Sequence, residues 1–136
     1  MIKQKNKNDC FLACLAMASG KTYEECFTTE ITEAIENAKG VRPDTVDKMF
    51  ELAGFIKNVD YTTIYTFNKD IYLIRDFLIR RKAILQVPSL NFENTEHGVY
   101  WDGNKILDPS NLQVYNYLSQ CFPTYVYLFN SAVLNV

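Results

Sequence analysis

His97-Gly98-Val99-Tyr100-Trp101-Asp102-Gly103-Asn104-Lys105-Ile106-Leu107-Asp108 is the stretch that decides the fold. β-Branched and aromatic residues run up to an Asp-Gly turn, and a second short apolar run follows it, which is the pattern of a β-hairpin. The hairpin folds the segment ending at Asp108 back beside the segment that opens with His97, the single histidine of the chain. A carboxylate and an imidazole are thereby carried to neighbouring strands.

Working outward, Ala83-Ile84-Leu85-Gln86-Val87 reads as a buried strand before the hairpin and Tyr125-Val126-Tyr127-Leu128-Phe129 as a last strand after it. Tyr61 to Phe67, rich in threonine, tyrosine and isoleucine, suits a further strand, and Asp70 to Arg81 returns to helical spacing through Ile71, Ile74, Phe77 and Leu78. The first third is helical. Asn8 or Asp9 is placed to cap a helix from Cys10 to Ser19, which Gly20 stops. Thr22 and Glu25 form a capping box for a second helix running toward Gly40, with Phe27-Thr28-Thr29 as its weak stretch. Pro43, Asp44 and Asp47 open a third, whose apolar face is Val46, Met49, Phe50 and Ala53 and whose stop is Gly54. Helices first and mostly antiparallel strands afterwards describe an α+β domain in which N-terminal helices pack on a C-terminal sheet. With 136 residues, 48% of them hydrophobic, one domain over 1–136 is expected.

Fourteen basic and sixteen acidic side chains leave a net charge of −2, which argues against binding to nucleic acid or an anionic membrane. Lys3, Lys5 and Lys7 form a short basic start and read as a solvated arm. No stretch has the pattern of a signal peptide or the length of a membrane span, so a cytoplasmic, soluble protein is expected. In that compartment Cys10, Cys14, Cys26 and Cys121 are expected to be reduced rather than paired.

Cys10 then becomes informative, because it stands where the first helix begins. There the helix supplies a partial positive charge and unpaired N–H groups that favour a thiolate and the oxygen of a tetrahedral intermediate. Gln4, six residues earlier, can add a side-chain amide as a second oxyanion donor. His97 is the candidate general base and acid, and Asp108 the group that orients it. Cys10, His97, Asp108 and Gln4 are therefore the candidate catalytic residues.

The plainer readings of the same residues are a helix-face pair for Cys10 and Cys14, a capping or core role for His97, a turn start for Asp108 before Pro109, and sheet packing for Trp101 and the tyrosines. A zinc site drawn from Cys10, Cys14, His97 and Cys26 or Cys121 would need two close ligand pairs, and only one is present. No metal or other cofactor is expected.

Gln4, Asp9-Cys10, Ala13-Cys14-Leu15-Ala16-Met17, Gly54-Phe55, His97-Gly98-Val99 and Asp108-Pro109, in that order, resemble the papain-like cysteine peptidases. The nearest likeness is to the bacteriocin-processing branch, the double-glycine leader peptidases. The resemblance implies a papain-like fold and a thiol hydrolase acting on a peptide or protein, with Cys10 as nucleophile, His97 as base and acid, Asp108 as orienter and Gln4 as oxyanion donor. Phe11 departs from the pattern, standing where that branch usually has glycine, so a leader-peptide preference does not carry over. The same thiol chemistry also serves deamidases and amine acyltransferases, and the same shape serves a binding protein without turnover.

Overall fold

A computed structural model describes residues 10–26, 43–66, 78–88, 96–110, 113–115 and 123–132. The protein is α+β. Among the described residues three helices, α1 (Cys10–Ser19), α2 (Tyr23–Cys26) and α3 (Pro43–Leu52), precede six strands: β1 (Tyr61–Tyr65), β2 (Arg81–Pro88), β3 (Glu96–Trp101), β4 (Ile106–Leu107), β5 (Val114–Tyr115) and β6 (Tyr125–Ala132). The strands form one sheet in the order β1-β6-β2-β3-β4-β5, and every neighbouring pair is antiparallel.

Helix ends follow their local chemistry. At α2 the capping box closes in both directions, with the Thr22 amide donating to Glu25 Oε1 and the Glu25 amide to Thr22 Oγ1, each at 3.2 Å. At the end of α3 the Phe55 amide reaches back to the Phe50 carbonyl (2.8 Å) and the Gly54 amide to that of Glu51 (3.0 Å). This double closure requires a left-handed residue, and Gly54 supplies it with φ of 95°. Residues 27–42, which hold the rest of the expected second helix, lie outside the described residues, as do Asn8 and Asp9.

One expected boundary differs. Helical spacing through Arg81 overruns the element: Leu78 is the last helical residue, Arg80 turns the chain at φ 61°, and Arg81 already opens β2. The side-chain pattern there continues across a backbone reversal that Ile79-Arg80 makes without glycine or proline, so no punctuation marks the stop. Residues 67–77 lie outside the described residues.

The middle strands are buried on both faces. Ile84, Tyr100, Tyr127, Phe129 and Tyr61 pack against α1 and α3, while Ala83, Leu85, Val99, Trp101, Ile106, Val126 and Leu128 form a second cluster with Leu78. Alternation along β2 and β6 therefore feeds two cores, which is why these strands read as almost continuous apolar runs. Against the first core lies α1, buried at every position from Cys10 to Ala16 and again at Ala18. A helix apolar on all sides must be enclosed, and α1 is the element around which the first core is built. Lys82 in β2 anchors its far end by donating from Nζ to the Ala18 carbonyl at 3.3 Å, a cation at the negative end of the helix. No described helix is long and apolar enough to cross a membrane.

Candidate active site

The start of α1 meets the start of β3, and the ladder explains how. In β2, the Gln86 carbonyl accepts the Thr124 amide (2.8 Å) just before β6, so the polar groups of Gln86 point toward β6. Its cross-strand partner Gly98 is therefore in a non-hydrogen-bonded pair, and the Gly98 N–H points to the opposite side of β3. On that side β4 pairs with Tyr100 and Trp101 and runs only from Ile106 to Leu107. Past the end of β4 the N–H meets Cys10 instead, donating to its Sγ at 3.3 Å.

His97, one residue earlier, is joined to Asp108 by a 2.8 Å contact between Nε2 and Oδ1. The hairpin makes this possible. Asp102 Oδ1 accepts the amides of Asn104 (2.8 Å) and Lys105 (2.7 Å), closing the turn, and Asp108 follows directly on the last residue of β4. The same oxygen of Asp108 is also held by its own turn, accepting the Ser110 amide at 2.9 Å and the Ser110 hydroxyl at 2.7 Å. The Asp108-Pro109-Ser110 turn and the histidine contact share one oxygen, so the turn-starter reading and the orienter reading describe the same atom.

Electrostatics follow from these contacts. Burial alone would pull the His97 ring toward neutrality, but hydrogen bonds to Asp108 and to the Cys10 sulfur, with the negative charge near both, outweigh it and push the ring up to about 10. With Nε2 taken by Asp108, Nδ1 is the nitrogen left for the sulfur. Burial opposes ionisation of Asp108 as well, yet the hydrogen bonds from His97 and Ser110 hold its carboxyl below the ordinary value. These contacts favour the protonated form of the ring.

Three of the four candidate residues, Cys10, His97 and Asp108, are thus brought together, and Gln4 lies outside the described residues. Cys14, one turn along α1, is fully buried, and that burial pushes its thiol well up. Burial likewise raises Cys26, partly offset by Ser19, whose hydroxyl lies 4.0 Å from its sulfur. All three described cysteines are free thiols, and at 5% exposure Cys10 is the most open of them. Cys121 lies outside the described residues. Among the described residues no group of three or more His, Cys, Asp or Glu side chains is placed to hold a metal ion.

Two partners of the site escape a reading of the sequence. Ser110 had a local signal, since a serine two residues after an aspartate commonly closes on its carboxylate. The Gly98 N–H had none, because its direction depends on where β4 ends. Compared with protein-family models and with curated proteins, the chain matches neither. The site is therefore read from its own chemistry.

Proposed function

We propose that this protein is a papain-like thiol hydrolase that cleaves a peptide bond or side-chain amide of a peptide or protein through an acyl-enzyme at Cys10. What carries this reading is the 2.8 Å contact of the Asp108 carboxylate with the His97 ring, beside a Cys10 sulfur that stands at a helix start, takes the amide of the next residue, Gly98, and helps to raise the ring. An imidazolium against a sulfur is the arrangement that yields a nucleophilic thiolate.

In the proposed reaction Cys10 Sγ attacks the carbonyl carbon, and the carbonyl π electrons move onto oxygen. Backbone N–H groups at the start of α1, with the Gln4 amide, are the donors for that oxyanion. As the tetrahedral adduct collapses, the C–N bond breaks and the nitrogen takes the proton of His97, leaving a thioester and a neutral ring. Water then gives a proton to His97 while its oxygen attacks the thioester, and the acid and the Cys10 thiolate are released beside a restored imidazolium. Asp108 keeps the ring in one tautomer and orientation throughout.

Iodoacetamide is small enough to test a sulfur that is only 5% exposed. Near neutral pH it is expected to label Cys10 selectively, and His97→Ala is expected to lose that selectivity; equal labelling of both proteins rules out the pair. Mass spectrometry of candidate substrates then resolves the acceptor: cut chains mark a peptidase, a gain of roughly one dalton at glutamine a deamidase, and an amine adduct a transferase. A partner that binds Cys10→Ala as well as wild type and is never altered marks a binding protein.

A further inference from the structure

Gly98 lies in the middle of a regular strand, so its backbone does not ask for glycine. Space does. A Cβ at this position would fall 3.1 Å from both Cδ2 and Cγ of Phe11 and 3.2 Å from its Cδ1, closer than side chains tolerate without moving. Phe11 has little room to give. It follows Cys10 on α1, is 1% exposed, and stands edge-on to Tyr127 with ring centres 6.4 Å apart at 84°. Tyr127 is pinned in turn, since its hydroxyl donates to Gln86 Oε1 at 2.6 Å, and Gln86 is the cross-strand partner of Gly98. The ring is therefore wedged between α1 and the sheet, pressing on the backbone whose N–H binds the Cys10 sulfur.

We propose that Phe11 and Gly98 are positioning residues, a large and a small side chain matched so that α1 and β3 close to the one separation at which the Cys10 sulfur meets the Gly98 N–H and the His97 ring. The departure at Phe11 thus faces the core rather than a substrate entrance, and its size is balanced 87 residues away by the absence of a side chain at Gly98. The inference rests on the hydrolase reading for what the placed sulfur does, but the placement itself is measured without a substrate.

The test compares wild type with Phe11→Leu, Gly98→Ala and the double variant, using the iodoacetamide rate at Cys10 and the NMR titration of His97, whose ring gives one set of signals because the histidine is single. A misplacement of the order of 1 Å is enough to cost reacting groups about a hundredfold. Gly98→Ala is expected to slow Cys10 labelling by roughly tenfold or more and to lower the pH at which His97 loses its proton. Phe11→Leu removes about the volume that Gly98→Ala adds, so the double variant recovers most of both losses, within about threefold of wild type. A folded Gly98→Ala with wild-type labelling and titration overturns the proposal, as does a folded double variant no faster than about a tenth of wild type. Should Gly98→Ala not fold, the double variant decides; should that fail too, Phe11→Leu alone decides, since slower labelling supports the match and unchanged labelling overturns it. If wild-type Cys10 shows no excess reactivity over Cys14 and Cys26, the hydrolase reading has failed rather than this one.

Discussion

Asp108 and Asp47 make like contacts at two separate places, the β3–β4 hairpin and the α3–β1 corner. Each is part-buried, and each contacts a ring-bearing side chain on a strand: His97 Nε2 lies 2.8 Å from Asp108, and the Tyr61 hydroxyl 2.6 Å from Asp47. Each carboxylate also has another partner, Ser110 for Asp108 and the Lys57 ammonium, at 2.9 Å, for Asp47. The chemistry differs in what the ring can do. Burial, with the Asp47 carboxylate beside it, pushes the Tyr61 hydroxyl above its ordinary range, so its proton stays in place at any physiological pH. Asp108 instead holds a proton on a group that can return it, and that group also interacts with a sulfur. One assembly is a structural tie, and the other has the parts to pass a proton. A part-buried carboxylate–ring contact is not by itself a sign of function, and the third member decides.

The largest expected effect separates the two assemblies outright. His97→Ala is expected to slow iodoacetamide labelling of Cys10 near neutral pH by about a hundredfold, as the loss of a positioned acid–base group does, whereas Tyr61→Phe leaves it unchanged. Comparable slowing by both substitutions would mean that labelling reports general loosening of the core. Rates are read by intact-mass spectrometry over a time course.

Asp108→Asn comes next and acts through the ring. Without the carboxylate, burial is opposed only by the sulfur, so the NMR titration of His97 is expected to fall from about 10 toward the ordinary imidazole range, and labelling at neutral pH to drop about tenfold. The sign for stability follows from linkage. A ring raised to about 10 in the folded protein, against an ordinary 6.5, adds stability that is fully present below 6.5 and is lost as pH climbs toward 10. Asp108, lowered by folding, adds stability present above its ordinary 3.8 and lost as pH falls through its folded value. Urea midpoints from pH 6 to 10 should therefore decline more steeply in wild type than in Asp108→Asn; parallel curves would sink the ion-pair account.

Much of this was legible in the sequence, and for local reasons. The C-terminal ends of α1 and α3, the Thr22–Glu25 capping box and the Asp102-Gly103 turn are set within a few residues, where residue type and backbone preference act directly. That turn also carried the His97–Asp108 pairing, because hairpin register follows from turn length. What escaped is non-local. β5, two residues long, has no alternation to read and exists through its pairing with β4. The order β1-β6-β2 joins strands about sixty residues apart in the case of β1 and β6, and nothing in either strand names its neighbour. Gly98 carried no signal either, since a glycine in a strand reads as a weak point until Phe11 is seen beneath it.

The smallest effects belong to the structural tie, and they test whether it is only that. Tyr61→Phe removes a hydrogen bond to a charged acceptor but leaves a ring packed on Phe50 at 4.7 Å and Phe129 at 6.0 Å. Because the Asp47 side chain is 23% exposed, water replaces much of the lost bond, and the expected cost is about 1–2 kcal/mol in urea unfolding. Lys57→Ala removes the outer member, whose side chain is 48% exposed, and the expected cost is below about 1 kcal/mol and shrinks as salt is added. In both variants the His97 titration should overlay that of wild type. A shift of His97 in Lys57→Ala would show that charge at the α3–β1 corner is felt across the core at the α1–β3 junction. In that case the two carboxylate assemblies would be coupled, and the division between a tie and the proposed proton-passing site would have to be redrawn.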